Sequence, residues 1–335
     1  MAYKVGIVGH RGYSGAELVR ILQHHPGVEP ILLEHRDDGG RQSAIRKYKG
    51  PASIPSTREA VQEAGIAIAF LATPPEVSME LAGPMLDGGA RVVDLSGAFR
   101  LGTVENYTAW YKEPHTRPDL LTEAVYGLPE FCRERIPAAR LVANPGCYPT
   151  AANLAIRPLI EAGVVDRNAG IVCDGKSGVS GAGRKPRLSS SFCEVTENFS
   201  AYSILNHRHV PEVLRISGIE EGEFSFTAQL LPLDRGILET IYFRATGVAS
   251  AEELVRIYET RYAGEPFVRI YQPGRVPDLH AVARTNFCDI GVTFDPRTGR
   301  AVVVAAIDNL VKGAAGQAIQ NMNLLLGFPE SQGLL

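Results

Sequence analysis

The chain has 335 residues, enough for two domains with large cores. A net charge of -3 with 21% charged residues removes the electrostatic case for nucleic-acid or membrane-surface binding. Five cysteines (132, 147, 173, 193 and 288) are odd in number and show no C-x-x-C spacing, so neither a disulfide framework nor a metal site is signalled. The N-terminus enters a strand without a charged-then-apolar leader, and no run approaches the roughly 18 apolar residues of a membrane span. The cytoplasm is the expected compartment.

Tyr3 to Gly9 reads as a buried parallel strand, apolar on both faces. It runs into Gly9-His10-Arg11-Gly12-Tyr13-Ser14-Gly15, followed by a helix over 16–25 and a second strand over 30–34. This is a βαβ unit with G-x-x-G-x-x-G at the strand-to-helix turn. Backbone N–H groups and the helix N-terminus can hold a pyrophosphate there. At the tip of the second strand stand Glu34, His35, Arg36, Asp37 and Asp38. An acidic residue there favours the ribose 2′-hydroxyl of NAD, and an arginine favours the 2′-phosphate of NADP. Both are present; the reading leans to NADP(H) through Arg36.

A third strand over 66–71 ends in Ala72-Thr73-Pro74-Pro75, which places Thr73 and Pro74 along the cofactor crevice. A helix over 76–86 and a strand over 91–95 follow, and Asp94 to Arg100 then leaves the strand tip with a cation. The rigid fork of Arg100 suits a phosphate or carboxylate. Residues 101–140 are irregular and read as a long loop over the sheet edge.

The chain is organised around Val142-Ala143-Asn144-Pro145-Gly146-Cys147-Tyr148-Pro149-Thr150-Ala151. Here a cysteine on a Pro-Gly turn stands between a short apolar strand and a helix over 150–162. A sulfur at the mouth of a helix is favoured as thiolate by the dipole and the N–H groups of the first turn. After it come a strand over 170–174 and a run rich in glycine, hydroxyls and cations from Gly175 to Pro186, including Lys176, Ser177 and Gly178. That run reads as an anion-facing loop with mobile backbone, though without the order of residues of a P-loop. Asn206-His207-Arg208-His209-Val210-Pro211-Glu212 supplies two histidines beside a permanent cation, and metal ligation has no second cysteine or carboxylate at ligand spacing.

Period-2 strands over 223–231 and 236–244, a helix over 251–262, and further strands near 267–271 and 301–307 make the second half α+β with a mostly antiparallel sheet, an oligomer surface. Asp308-Asn309 opens a last helix with small residues at 313–316 and 318. That helix is expected to return to the first domain. Asn309 offers a paired donor and acceptor that match a carboxamide. The fold class is thus α/β, with a Rossmann-type dinucleotide domain (1–147 plus 308–335) and a catalytic and oligomerisation domain (148–307). Dinucleotide domain, thiolate and histidine together are the parts for hydride transfer through a thioester on Cys147.

Gly9-x-x-Gly-Tyr-Ser-Gly15, Asp94-Leu-Ser-x-x-Phe-Arg100, Asn144-Pro-Gly-Cys-Tyr-Pro-Thr-Ala151, Lys176 to Arg184, His207-Arg-His-x-Pro-Glu212 and Asp308 to Gly313 occur in that order. With them the chain resembles the N-acetyl-γ-glutamyl-phosphate reductase family over essentially its whole length. The resemblance implies NADPH-dependent reduction of N-acetyl-γ-glutamyl phosphate to the N-acetyl semialdehyde with release of phosphate, in arginine biosynthesis. It implies Cys147 as nucleophile and one histidine of the pair as acid/base, His207 being preferred. It places Arg100, Asn144, Lys176, Arg208, His209 and Glu212 near the substrate and Ser177, Gly178 and Asn309 near the cofactor. It implies a homodimer or homotetramer. His10-Arg11 in the first glycine turn and Asp37-Asp38 after Arg36 depart from the family pattern. Two other readings stand beside it: a reductase of the carrier-linked aminoadipyl phosphate of lysine biosynthesis, and a non-catalytic NADP(H) sensor.

Overall fold

A computed structural model describes residues 2–35 and 50–335. The chain divides into two compact units. One comprises Met1–Tyr107, Glu113–Asn144 and Gln317–Leu335, and the other Thr108–Lys112 and Pro145–Gly316. Apart from the excursion at 108–112, the main chain changes unit at 144/145 and at 316/317, against expected boundaries at 147 and 308. Among the described residues no helix is long and apolar enough to cross a membrane.

The first unit is built on seven strands: β1 (Tyr3–Val8), β2 (Val28–Glu34), β3 (Ala52–Pro55), β4 (Ile66–Leu71), β5 (Arg91–Asp94), β6 (Val125–Tyr126) and β7 (Leu141–Ala143). They are all parallel, in the order β3-β2-β1-β4-β5-β7-β6. β1 and β4 bury Val5, Ile7, Ile68, Phe70 and Leu71 completely, as strands covered on both faces do. The strand order reverses between β1 and β4. A ligand crevice opens at that switch point, outside the carboxyl ends of the two strands.

The second unit carries β8 (Ile171–Gly178), β9 (Ser200–Tyr202), β10 (Phe224–Leu231), β11 (Ile237–Arg244), β12 (Val268–Ile270), β13 (Cys288–Asp295) and β14 (Arg300–Ile307), in the order β12-β13-β14-β11-β8-β10-β9. Only the β8·β10 and β12·β13 pairs are parallel, so the sheet is mixed and mostly antiparallel. The helix Cys147–Glu161 packs across β11 and β14 and buries most of its length. Tyr258 and Tyr262 donate their hydroxyls to the carbonyls of Ala155 and Leu154, and Ser217 Oγ donates to Asn153 Oδ1 at 2.7 Å. Those bonds pin the helix that presents the cysteine.

Two expectations are corrected. Residues 101–140 are not one long loop: they hold helices Val104–Tyr111, Pro118–Glu123 and Pro129–Cys132 as well as β6. Pro118 and Pro129 occupy first helical positions, where the missing N–H costs nothing. The run from Gly175 is likewise not all loop, since β8 continues to Gly178 with Gly175 paired to Ala228 and Glu239.

Candidate active site

In the first unit the three glycines of the first turn have distinct steric reasons. Gly9 has φ +77°, and a Cβ there would fall 2.2 Å from the Ala72 carbonyl oxygen. A Cβ on Gly15 would fall 2.2 Å from the Gly9 oxygen, so the helix Tyr13–Leu22 starts directly on the turn. Gly12 caps that helix, and its N–H donates to the Gly9 carbonyl at 2.9 Å. The result is a bare helix N-terminus beside the switch point, a cradle for a pyrophosphate. A cavity of about 300 Å³ opens there, lined among others by Gly9, Gly12, Thr73 and Pro74. Tyr13 is exposed and Ser14 half-buried at the start of the helix. Arg36 lies outside the described residues.

Arg100 is buried, and its guanidinium already serves the backbone: Nε donates to the Asn144 carbonyl and Nη2 to that of Leu95, both at 2.8 Å. Asn144 is fully buried, and its side-chain oxygen accepts from Asn321 Nδ2 at 3.0 Å. Both residues therefore hold the strand end that leads to the cysteine. Burial raises the Asp94 pKa above the usual carboxylate value, and bonds from Ser78, Ser96 and the nearby Arg100 charge oppose that rise.

In the second unit Cys147 is the first residue of a 15-residue helix, half-exposed among buried neighbours. Pro149 has no N–H, so the donors offered by the first turn are those of Cys147 and Tyr148. The Gly146 N–H donates to Glu212 Oε2 at 3.0 Å. A Cβ on Gly146 would meet His209 Nε2 at 2.7 Å and Glu212 Oε1 at 3.0 Å. The histidine and carboxylate that close on the cysteine's turn are therefore His209 and Glu212.

His207 stands elsewhere in the same cluster. Its ring packs edge-on against His209 (4.8 Å), Phe226 (5.4 Å), Tyr148 (5.5 Å) and Tyr202 (5.6 Å). Its Nδ1 accepts the His209 backbone N–H at 3.2 Å, which leaves the proton of the neutral ring on Nε2. Burial, with the Arg208 charge adding to it, lowers its pKa to about 4. Arg208 itself is exposed. His207, preferred from sequence as the acid/base, is thus enclosed by aromatic rings with a lowered pKa, and His209 is the histidine that meets the cysteine's turn.

The edge of the Tyr148 ring packs on β8 at Gly175, and only a glycine there leaves room, since a Cβ would fall 2.7 Å from the ring. Its hydroxyl donates to the Gln229 carbonyl at 3.2 Å and lies 3.4 Å from that of Tyr202. Side chains alternate along β8, so Lys176 points to the opposite face from Gly175 and Tyr148. There its Nζ donates to the Asp174 carbonyl (3.0 Å) and to Thr240 Oγ1 (3.2 Å). Lys176 thus faces away from the side of the sheet that carries the cysteine helix.

Ser177, Gly178 and Asn309 lie buried where the end of β8 meets the start of β11. Asn309 Oδ1 accepts the Gly236 N–H at 2.7 Å, its Nδ2 donates to Ser180 Oγ at 2.9 Å, and Ser177 Oγ donates to the Gly178 carbonyl at 3.0 Å. The amide that sequence reasoning offered to a carboxamide is engaged at both ends by the protein.

Two members of the cluster were not anticipated. Glu239 is fully buried opposite Gly175, and desolvation pushes its pKa well above the ordinary value, against the opposing effects of a bond with Cys173 and the Lys176 charge. Gly313 packs directly on Cys147. The signal for Glu239 was present: in Ile237-Leu238-Glu239-Thr240-Ile241 it falls on the inward phase of the alternation.

A glycine cradle at the switch point of a parallel sheet, followed by a mixed-sheet unit that opens on a helix-terminal cysteine, defines a two-domain nicotinamide-dependent dehydrogenase. The semialdehyde dehydrogenase NAD binding domain model matches residues 4–139, and the semialdehyde dehydrogenase dimerisation domain model matches 147–309. The fold is similar to that of aspartate semialdehyde dehydrogenase II of Vibrio cholerae in complex with ASA (TM-score 0.73, 17% identity, 98% of this chain and 99% of that one). It is similar too to aspartate semialdehyde dehydrogenase with NADP from Candida albicans (TM-score 0.71, 16% identity, 97% and 99%). The N-acetyl-gamma-glutamyl-phosphate reductase of Symbiobacterium thermophilum is 49% identical (100% of this chain, 98% of that protein). That of Pelotomaculum thermopropionicum is 46% identical over the same shares. The chain belongs to the N-acetyl-γ-glutamyl-phosphate reductase family.

Proposed function

We propose that this chain reduces N-acetyl-γ-glutamyl phosphate to N-acetyl-glutamate 5-semialdehyde with NADPH, releasing phosphate, as a step of arginine biosynthesis. The observation that carries the site assignment is the convergence of His209 and Glu212 on Gly146, one residue before Cys147. Cys147 is the nucleophile. Its sulfur attacks the acyl carbon, the bond to phosphate breaks, and a thioester forms. The N–H groups of the first helical turn face the oxygen on which charge develops.

His209 holds the proton that the thiol loses and returns it when the thiohemiacetal opens to aldehyde and thiol. Glu212 fixes the turn by accepting the Gly146 N–H, so removing it displaces the cysteine and the histidine together. The dinucleotide cofactor, for which the turn at Gly9, Gly12 and Gly15 is a fitting cradle, supplies the hydride when bound. His207 encloses the site and stays neutral. Arg100 and Asn144 hold the strand end before the cysteine.

The semialdehyde dehydrogenase dimerisation model over 147–309 supports a homodimer or homotetramer built through the second unit. The cysteines at 132, 147, 173, 193 and 288 form no disulfide, which suits the reducing cytoplasm.

The test is the reverse reaction: phosphate-dependent reduction of NADP⁺, and separately of NAD⁺, with N-acetyl-glutamate semialdehyde. Turnover that requires phosphate and vanishes in Cys147→Ser is expected. Protein that binds the dinucleotide but turns over only a carrier-linked aminoadipyl semialdehyde would move the assignment to the lysine branch. Protein that binds it and turns over neither substrate would overturn the enzymatic reading.

A further inference from the structure

The glycine turn of this chain carries two basic residues, His10 and Arg11, between Gly9 and Gly12. Both reach Glu34, the last residue of β2. Arg11 Nη2 stands 3.4 Å from Glu34 Oε2, and His10 Nε2 stands 3.6 Å from Oε1. Ser53 Oγ of β3 donates to the same Oε1 at 3.2 Å. Gly9, His10, Arg11, Glu34 and Thr73 line one cavity of about 300 Å³, the one that opens over the bare helix N-terminus. An acidic residue at the tip of β2 is where a ribose 2′-hydroxyl is ordinarily taken up. Here that carboxylate is held from both sides, and the guanidinium over it is half-exposed, at 51% of its side-chain surface.

We propose that Arg11, restrained by Glu34, is the residue that reads the 2′-phosphate of the cofactor, a specificity determinant that rests on the NADP(H) reading above. A dinucleotide with a plain 2′-hydroxyl meets a carboxylate whose oxygens already serve Arg11 and Ser53. One with a 2′-phosphate meets a planar cation that trades the part-exposed Glu34 carboxylate for a dianion. An exposed ion pair is worth at most about 1 kcal/mol, whereas charge-assisted bonds from a guanidinium to a phosphate are among the stronger polar contacts. The exchange therefore runs toward the phosphate. Glu34 also adds a negative charge near the incoming group, so it lowers affinity while keeping the cation in place.

The experiment is calorimetric titration of the full-length protein with 2′,5′-ADP and with 5′-AMP, probes that differ only in the 2′-phosphate. Wild type is expected to prefer 2′,5′-ADP. Arg11→Ala and Arg11→Gln are expected to lose at least tenfold in affinity for 2′,5′-ADP while 5′-AMP stays within twofold. Glu34→Gln is expected to bind 2′,5′-ADP severalfold more tightly. An unchanged preference in both Arg11 variants overturns the proposal and leaves the NADP(H) reading standing. Loss of both ligands in both variants assigns Arg11 to the architecture of the turn and also overturns it. A wild type that binds the two probes equally overturns the NADP(H) reading and, with it, the proposal.

Discussion

Gly313 stands so close to Cys147 that a Cβ on it would come within 2.8 Å of the cysteine Cβ and 3.2 Å of its Cα. Gly313 belongs to a π-helical turn, Val311–Ala315, that follows the end of β14. Asp308 organises that turn: its Oδ1 accepts the N–H groups of Leu310 (2.8 Å) and Val311 (3.1 Å), and its carbonyl accepts that of Gly313 (2.9 Å). Widened turns of this kind are frequent at functional sites. Here the turn delivers a residue without a side chain to the back of the nucleophile.

Gly313→Ala is therefore expected to displace Cys147. Overpacking of this kind costs about 1–3 kcal/mol of stability. A shift of a few tenths of an ångström at the nucleophile is expected to lower kcat by at least about tenfold, since misplacement by an ångström can cost about a hundredfold. The rate of Cys147 alkylation by iodoacetamide, compared with the melting temperature, separates the two effects. A variant that melts lower but is alkylated and turns over as wild type does would show that Gly313 matters only for packing.

The two histidines make a second comparison. His209 closes on the Gly146 turn, whereas His207 is enclosed by Tyr148, Tyr202 and Phe226. His209→Asn is expected to reduce kcat/KM by about 10²–10⁴, the range for loss of a positioned acid/base. His207→Asn is expected to cost no more than about tenfold, through packing. Steady-state rates of the phosphate-dependent reaction decide it, and the reverse ranking would restore His207 to the acid/base role.

Much of this site was legible because local chemistry and tertiary role coincide. The turn at Gly9, Gly12 and Gly15 and the Pro145-Gly146-Cys147 corner are short-range devices, and the strand and helix patterns on either side announce them. What sequence missed depends on registry over long distances. His207 and His209 are two residues apart and chemically alike, and only the fold decides which ring meets the cysteine's turn. Lys176 looked like a substrate cation until strand pairing carried β8 through it and turned it to the other face. Asn309 offered a free amide on paper, yet Gly236 and Ser180 use both its ends. β13 hid because Asp289 and Gly291 break its apolar run; a bidentate pair with Arg269 (2.6 and 2.8 Å) explains the buried aspartate.

Glu239 makes a prediction about stability. Its carboxyl is fully buried, and its folded pKa lies above the ordinary 4.5. Between these two values the folded state binds more protons than the unfolded one. Its contribution is therefore fully present below pH 4.5 and is lost as pH rises toward the folded pKa. Glu239→Gln keeps the shape and removes the titration. Urea unfolding at pH 5 and pH 8 is expected to show wild type losing ground to the variant as pH rises, by about 1.4 kcal/mol per pH unit within the window. A difference between the two proteins that does not change with pH would mean that Glu239 is ionised in the fold.

His207 titrates in the opposite sense. Its folded pKa of about 4 lies below the ordinary 6.5, so between these values the unfolded chain binds the proton and the native ring does not. The stability linked to it is fully present above pH 6.5 and is lost as pH falls toward 4, by on the order of 3 kcal/mol in total. Burial also lowers the pKa values of His25 and His115, so wild type alone cannot isolate this term. The informative quantity is the difference between wild type and His207→Asn, measured by urea unfolding at pH 7.5 and pH 5. The variant is expected to be less stable than wild type at pH 7.5, where it loses the aromatic packing of the ring, and the gap is expected to narrow at pH 5, where wild type must hold a neutral imidazole against the proton. The same enclosure makes the acid limb of turnover independent of His207. A kcat/KM profile whose acid limb moves in His207→Asn would show that this ring exchanges protons during the reaction.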